Sequence, residues 1–534
     1  MVVEPAEKRV WHPGLTWPWL NQRQSQSAPW AICAILVGLS ASLFLLSSRY
    51  GIGVRPDTFR YMGLGWKPDD APVYGWLLRG IAETGLNIWG GAKLLGLVLS
   101  CLNPILIWVT LMRATRSNVH AAGGTILILL SPSFSRLSAL ALSEALFITC
   151  IFTSVLLFVA YLKDMNWRRL AACGAMIAVT TLVRFPGMVL GFAIAATLLL
   201  MRQLPLRQRV RSVVMLGSVG GGITLLWAIV SKIVADHAVG RDFAFYGNAD
   251  VERWKQGFKS LTALLAPMEV PLLARAALLL AVLGAVAWIW FHYCRFVLRK
   301  ADANMGEAER APERTIAPVF GFFALFYAAF MVLAVHLEAN LPLNGRYALP
   351  LYVTLVTAAT IVVSDRKNMS RGDRALASLL VAISIGILAS HTVRTASRTE
   401  AAYEQGLDFA SRAWASSPTI HAVRRLPRGA MIFSNGPEAI IYAAKRPATI
   451  VPMKMDSRTG LDRPHNPYPR QLEATRQRLQ GGNAYVVFVD RVDWRFYTAT
   501  ENELRQALGL KLVERLADGR IYNLPPSSPS NNPL

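Results

Sequence analysis

Four charged side chains stand at the edges of long apolar runs, where a charge is expensive unless it has a partner or a task. Glu144 opens an apolar run in SPSFSRLSALALSEALF, with no basic residue beside it. Arg184 separates two apolar runs in TTLVRFPGM, and Arg346 begins another in LPLNGRYALPL, next to Tyr347. Asp57 follows the first apolar segment in GVRPDTFRYMGLG, with Tyr61 four residues on. A carboxylate only accepts hydrogen bonds, so at headgroup level Asp57 is a candidate base for taking the proton of an attacking hydroxyl. A guanidinium grips phosphate oxygens through two parallel hydrogen bonds, which makes Arg184 and Arg346 candidate clamps for a lipid phosphate. Each residue taken alone also has a blander reading. Asp57 fits a solvated loop acid, Glu144 a dipole-favoured helix start capped by Ser143, and the arginines snorkelling side chains. Asp69 and Asp70, adjacent in KPDDAP, fit either a metal site or an acidic turn. The chain has no Walker loop, HExxH or GxSxG, so soluble nucleotide or protease chemistry has no support.

The elements that must hold these residues are membrane spans. Of 534 residues, 53% are hydrophobic and 17% charged, against about 25% charged in soluble proteins. Apolar stretches long enough to cross a bilayer recur near 28–48, 91–112, 119–135, 143–162, 168–184, 186–202, 212–235, 268–297, 315–337, 347–364 and 375–391. The expected fold is a polytopic α-helical membrane protein of about 11 spans, with 28–48 a retained first span. Arg184 and Pro186 interrupt the run at 168–184, which also fits a broken or re-entrant helix. The excess of 56 Lys+Arg over 33 Asp+Glu, a formal +23, gathers in alternate short connections such as RATR, KDMNWRR and RQLPLRQRVR. That alternation predicts a cytoplasmic N-terminus and an outer C-terminus. No basic–aromatic motif stands outside this frame, so nucleic acid is not an expected partner. The five cysteines, Cys33, Cys101, Cys150, Cys173 and Cys294, all lie in apolar segments with no CxxC pair, and read as buried apolar residues.

Two regions break the pattern. Residues 49–90 form a long outer loop of mixed charge, with Arg55, Arg60, Lys67, Glu83, Phe59, Trp66, Tyr74 and Trp76 around the acids. Such a loop on a membrane scaffold is where chemistry would sit. From about 392 to 524 the composition shifts to that of a small extracytoplasmic α/β domain. RGAMIFSN, ATIVP and NAYVVFVD read as strands, PEAIIYAAKR and ENELRQALG as helices, and LKLVERLADGRIYNL as a hairpin turning at Asp518-Gly519. The tail 525–534, PPSSPSNNPL, reads as disordered.

Several of these stretches resemble the GT-C superfamily of membrane glycosyltransferases, especially the bacterial relatives of protein O-mannosyltransferases and of the lipid A aminoarabinose transferase. RPDTFRYMGLG followed by APVYGWLLRG resembles the family's first outer loop. LSPSFSRLSALALSEALF resembles the segment before the fourth span, with Glu144 in the acidic position. LVRFPG and NGRYALPLY resemble later Arg-bearing stretches, and IFSNGPEAIIYAAKRPATIVP the outer C-terminal domain. The resemblance implies a multi-pass enzyme of the plasma (inner) membrane, with a catalytic first outer loop at 49–90 inside a membrane domain spanning 1–391. It implies inverting transfer of a sugar from a polyprenyl-phosphate donor to a lipid, glycan or protein acceptor. By motif position Asp57 is then the base and Glu144 a second acid. Tyr61, Arg184, Arg346 and Tyr347 bind substrate, the arginines facing the donor phosphate. Thr58 follows Asp57 where some members carry a second acid, so no metal is assigned and a divalent cation stays open as a cofactor. The other reading carried forward is a transporter or flippase of a lipid-linked glycan. Such a protein should show paired broken helices in matching halves, a repeat this sequence lacks.

Overall fold

A computed structural model describes residues 27–63, 71–235, 251–299, 311–337, 341, 343–457, 460–463 and 465–524. Trp66, Lys67, Asp69, Asp70 and the tail 525–534 lie outside the described residues. The helices in chain order are α1 (Ser27–Ser47), α2 (Pro56–Met62), α3 (Val73–Glu83), α4 (Ile88–Thr115) and α5 (Asn118–Leu129). Next come α6 (Pro132–Ser138), α7 (Glu144–Asp164), α8 (Trp167–Val183), α9 (Met188–Leu200) and α10 (Leu206–Ala235). The bundle ends with α11 (Val251–Thr262), α12 (Leu272–Val297), α13 (Ile316–Leu337), α14 (Gly345–Ser364) and α15 (Arg371–Gln405). Among the described residues, eight helices are long and apolar enough to cross a bilayer: α1, α4, α7, α10, α12, α13, α14 and α15. A helix satisfies its own backbone groups and so can stand in hydrocarbon. The protein is a multi-pass membrane protein.

Of the eleven apolar runs, those at 119–135, 168–184 and 186–202 form helices of 12, 17 and 13 residues, short of a full span. Two boundaries shift for an evident local reason. The run at 119–135 breaks at Leu130, because Pro132 lacks the N–H that would continue the ladder. Beyond the run at 375–391, α15 continues to Gln405. The sequence HTVRTASRTEAAYEQ is too polar to score as a span but holds no glycine or proline, so the helix propagates until Gly406, at φ 76°.

The connection at 49–90 holds two helices, α2 and α3. Pro56 starts α2 with a preset φ, and Gly63 ends it in the left-handed region, at φ 70°. Ahead of α2 the chain is laid down like a short strand. Gly53 N–H donates to Ala139 O (2.9 Å), Ala141 N–H donates to Gly53 O (2.8 Å), and Phe409 N–H donates to Val54 O (3.2 Å). A Cβ on Gly53 would lie 2.3 Å from Leu140 Cδ2, so only glycine permits this approach.

The C-terminal region forms a five-stranded mixed sheet of β1 (Met431–Ser434), β2 (Thr449–Ile450), β3 (Ala484–Val489), β4 (Lys511–Leu516) and β5 (Gly519–Asn523). The order is β2-β1-β3-β5-β4. β1 pairs in parallel with β2 and β3, whereas β5 runs antiparallel to both β3 and β4. Alternation along the strands sends side chains to opposite faces. Phe433, Val486, Phe488 and Tyr522 pack on one side with Leu504 and Leu508, from the helix Glu501–Leu508. Ile432, Val487, Val489 and Ile521 pack on the other with Ile420, Val423, Phe409 and Trp414. This second core also contains Val54 and Phe59 from the segment at 49–90. Phe59 meets Trp89 and Phe409 edge-on, at 5.5 and 6.2 Å between centroids. The segment bearing α2 is therefore built into the C-terminal α/β unit as firmly as into the helix bundle.

Candidate active site

Four elements distant in sequence bring the predicted residues together. Asp57 lies in the first turn of α2, and Glu144 is the first residue of α7. Arg184 is the extended residue ending α8, ahead of the 3-10 turn Phe185–Gly187. Arg346 lies in the first turn of α14, whose capping residue Asn344 accepts from Arg346 N–H at 3.0 Å. The turn that frees Arg184 from its helix depends on Gly187, where a Cβ would stand 2.5 Å from the Thr180 backbone.

Arg346 bridges the two acids. Its Nε donates to Glu144 Oε1 at 2.6 Å and its Nη1 to Asp57 Oδ2. Arg184 Nη1 reaches the same Glu144 oxygen at 2.6 Å. Arg60, one turn along α2, donates to Asp57 Oδ1. Glu144 is only 1% exposed, and its Oε2 is buried with no hydrogen-bond partner among the described residues. The expected Ser143 cap is absent: its side chain makes no cap bond, and its Oγ lies 3.3 Å from Tyr61 Oη. Tyr347 presents its ring 5.6 Å from the Arg184 guanidinium.

Asp57, Glu144, Arg60, Arg184 and Arg346 sum to one positive charge in excess. Burial alone would push the Asp57 carboxyl up. Arg346 foremost, then Arg60, outweigh that and hold it well below the usual carboxylate range. The donor set does not suit a divalent cation, since the guanidinium of Arg346 occupies the space between the two carboxylates. Among the described residues no three His, Cys, Asp or Glu side chains gather elsewhere.

Asp57, Arg60, Tyr61, Arg184, Arg346 and Tyr347 line a cavity of about 710 Å³ between the bundle and the C-terminal α/β unit, with Glu144 buried behind the arginines. Sequence reasoning missed its roof. Asp408, Trp414, Glu438, Arg491, Trp494, Arg495 and Phe496 line the same space. Arg55 Nε and Nη2 donate to Asp408 Oδ2 and Oδ1 at 3.0 and 3.3 Å. Arg495 Nη2 donates to both oxygens of Glu438, reaching Oε2 at 2.6 Å. The available signal was RVDWRFY, a charged aromatic stretch straight after a buried strand. For Arg60 it was the i,i+3 spacing from Asp57.

A membrane helix bundle with an acid–arginine site on one face, roofed by a small α/β unit, is the architecture of the GT-C membrane glycosyltransferases, and this chain has that fold. Residues 69–230 match the family described as dolichyl-phosphate-mannose-protein mannosyltransferase. ArnT from Cupriavidus metallidurans, in its structure bound to undecaprenyl phosphate, superposes with a TM-score of 0.55 at 15% identity, covering 93% of this chain and 98% of that one. The apo oligosaccharyltransferase of Archaeoglobus fulgidus gives 0.52 at 13% identity, covering 88% of this chain and 70% of that one. No curated protein matches the chain by sequence.

Proposed function

We propose that the protein is an integral-membrane glycosyltransferase. It moves a sugar from a polyprenyl-phosphate donor to a hydroxyl-bearing acceptor, on the outer face of the plasma membrane, with inversion. The observation that carries this reading is Arg346, held between Asp57 and Glu144 at the floor of a roofed cavity where arginines outnumber carboxylates. The bound lipid phosphate of ArnT, a protein of the same fold, accords with it.

The donor phosphate binds Arg184 and Arg346, which have the planar fork that suits phosphate oxygens. As Arg346 turns to the phosphate, Asp57 loses the partner that most suppresses its basicity, and burial then raises its proton affinity. The acceptor hydroxyl gives its proton to Asp57 while its oxygen bonds to the anomeric carbon. The bond from that carbon to the phosphate oxygen breaks on the opposite side, and its electron pair leaves on polyprenyl phosphate, where the arginines stabilise it. Glu144, buried behind the cavity wall, holds both arginines in place. The Phe59 and Val54 packing fixes α2, and with it Asp57, against the roof.

The test uses purified protein in lipid nanodiscs with polyprenyl-phosphate sugars labelled in the sugar. Label should pass from the lipid to a new glycoside with wild-type protein and not with Asp57→Asn. In sealed vesicles, label that crosses the bilayer on an intact donor, with no glycoside formed, would establish the flippase reading instead.

A further inference from the structure

A second cationic cluster lies outside this cavity, where α12 begins and α15 leaves the bundle. Arg275, in the first turn of α12, is 4% exposed. Its Nη1 points at Met268 Sδ, a weak acceptor, and its Nε is buried with no hydrogen-bond partner among the described residues. Arg394 on α15 donates through Nη2 to Ala263 O at 2.7 Å, while its Nη1 is also buried without a partner among the described residues. Arg398, one turn further on α15, and Arg275 both act electrostatically on Arg394, with Glu269 as the opposing acid. Arg398 also acts on Arg136. The carboxylate near Arg136, Asp408, lies 3.7 Å away and is already held through both oxygens by Arg55. Arg275 and Arg398 thus add positive charge around Arg394, with Glu269 the one acid acting on it. A buried guanidinium nitrogen with no acceptor carries a desolvation penalty, and here two of them adjoin further positive charge.

The depth of the cluster says what would relieve it. At 1.5 Å per residue Arg394 stands about 35 Å along α15 from Arg371, just past a hydrocarbon core of about 30 Å. It stands on the face that carries the C-terminal unit. Next to the cluster, Leu273 and Val393 are 84% and 70% exposed, an apolar surface suited to acyl chains. An anion with two tails below it matches both halves of this surface. None of Arg275, Arg394 and Arg398 lines the catalytic cavity.

We propose that Arg275, Arg394 and Arg398 bind the headgroup phosphate of an anionic phospholipid in the leaflet on the C-terminal-unit face, at a site separate from the catalytic cavity. The lipid neutralises the excess charge and ties the segment from Ala263 to Pro271 between α12 and α15.

The test measures lipid binding to the full-length protein in detergent by native mass spectrometry, titrating phosphatidylglycerol and phosphatidylcholine. Wild-type protein should retain phosphatidylglycerol at least tenfold more tightly. In Arg394→Gln/Arg398→Gln the preference should collapse to within about twofold. Should that double variant not fold, Arg398→Gln alone, a change at an exposed position, should cut the preference threefold or more. An unchanged preference in whichever variant folds overturns the proposal. So does displacement of the phosphatidylglycerol by millimolar inorganic phosphate, which would make this a free-anion site.

Discussion

The floor and the roof of the cavity both hold arginine–carboxylate pairs, but they use their oxygens differently. In the roof each acid turns both oxygens to one arginine: Asp408 to Arg55, with Arg136 a looser neighbour, and Glu438 to Arg495. In the floor, two arginines crowd onto Glu144 Oε1 while Oε2 is left alone, and Arg346 is divided between two acids. Roof pairs satisfy their carboxylates and behave as locks. On the proposed mechanism it is the floor pairs that exchange a carboxylate for a phosphate. Similar residue types are then fixed in one layer and exchangeable in the next.

The largest effect that would sharpen this contrast lies in the floor. Asp57→Asn is nearly isosteric but cannot take a proton, so turnover should fall by roughly a hundredfold or more. Because the change releases Arg346, donor affinity should hold or tighten. Full turnover in a donor-transfer assay would remove Asp57 from the chemistry. The roof should respond through stability instead. Glu438→Ala strands a buried Arg495 and should cost about 3–5 kcal/mol, read by chemical or thermal unfolding. Glu438→Leu/Arg495→Met replaces the whole pair by apolar groups and should keep nearly the wild-type melting temperature, since Arg495 Nε and Nη1 are already buried without partners among the described residues. A double variant as unstable as the single one would break the distinction between lock and exchange.

Smaller effects follow from geometry and proton affinity. Arg346→Lys keeps the charge but loses the planar fork. The donor KM should rise about tenfold, a change of roughly 1.4 kcal/mol, and an unaltered KM would confine Arg346 to bridging Asp57 and Glu144. The pH profiles should separate by a measurable margin in one direction. Asp57 must be ionised to act, and activity is lost as pH falls through its pKa. In the free protein, Arg346 and Arg60 hold that pKa well below the usual range, even against burial. The acid limb of kcat/KM, which reports the free enzyme, should therefore lie below the ordinary aspartate value of about 3.9. The limb of kcat, which reports the donor complex, should lie higher. The same sign governs stability: the ionised Asp57 contributes fully above about pH 3.9 and loses its contribution only as pH falls through the lowered value. Limbs in the reverse order would show that Arg346 does not leave Asp57 when donor binds.

Much of this was legible in the chain because hydrocarbon makes charge conspicuous. Glu144, Arg184 and Arg346 stand out against their neighbours, and the apolar runs around them mark helices by length alone. The pairing among them was not legible. Arg346 meets Asp57 across 289 positions and Glu144 across 202, and no periodicity encodes such a contact. Glu144 illustrates the loss: beside Ser143 it reads as an ordinary helix start, whereas in the fold Ser143 turns to Tyr61 and Glu144 to two arginines. The strands were readable from alternation and the Asp518-Gly519 turn. That one face of the sheet would take Val54 and Phe59 was not, because those residues sit among charged and polar neighbours far upstream.

That shared core has a consequence for how the protein is made. Val54 and Phe59 leave the ribosome long before the β3 and β5 side chains that enclose them, Val487, Val489 and Ile521. Until then the segment bearing Asp57 rests on one side only, against Ala139 and Ala141 of the bundle. A chain stopped before β3 would carry every described membrane helix and still lack the sheet side of the seat under α2, so the chemistry proposed for Asp57 depends on strands made after the bundle.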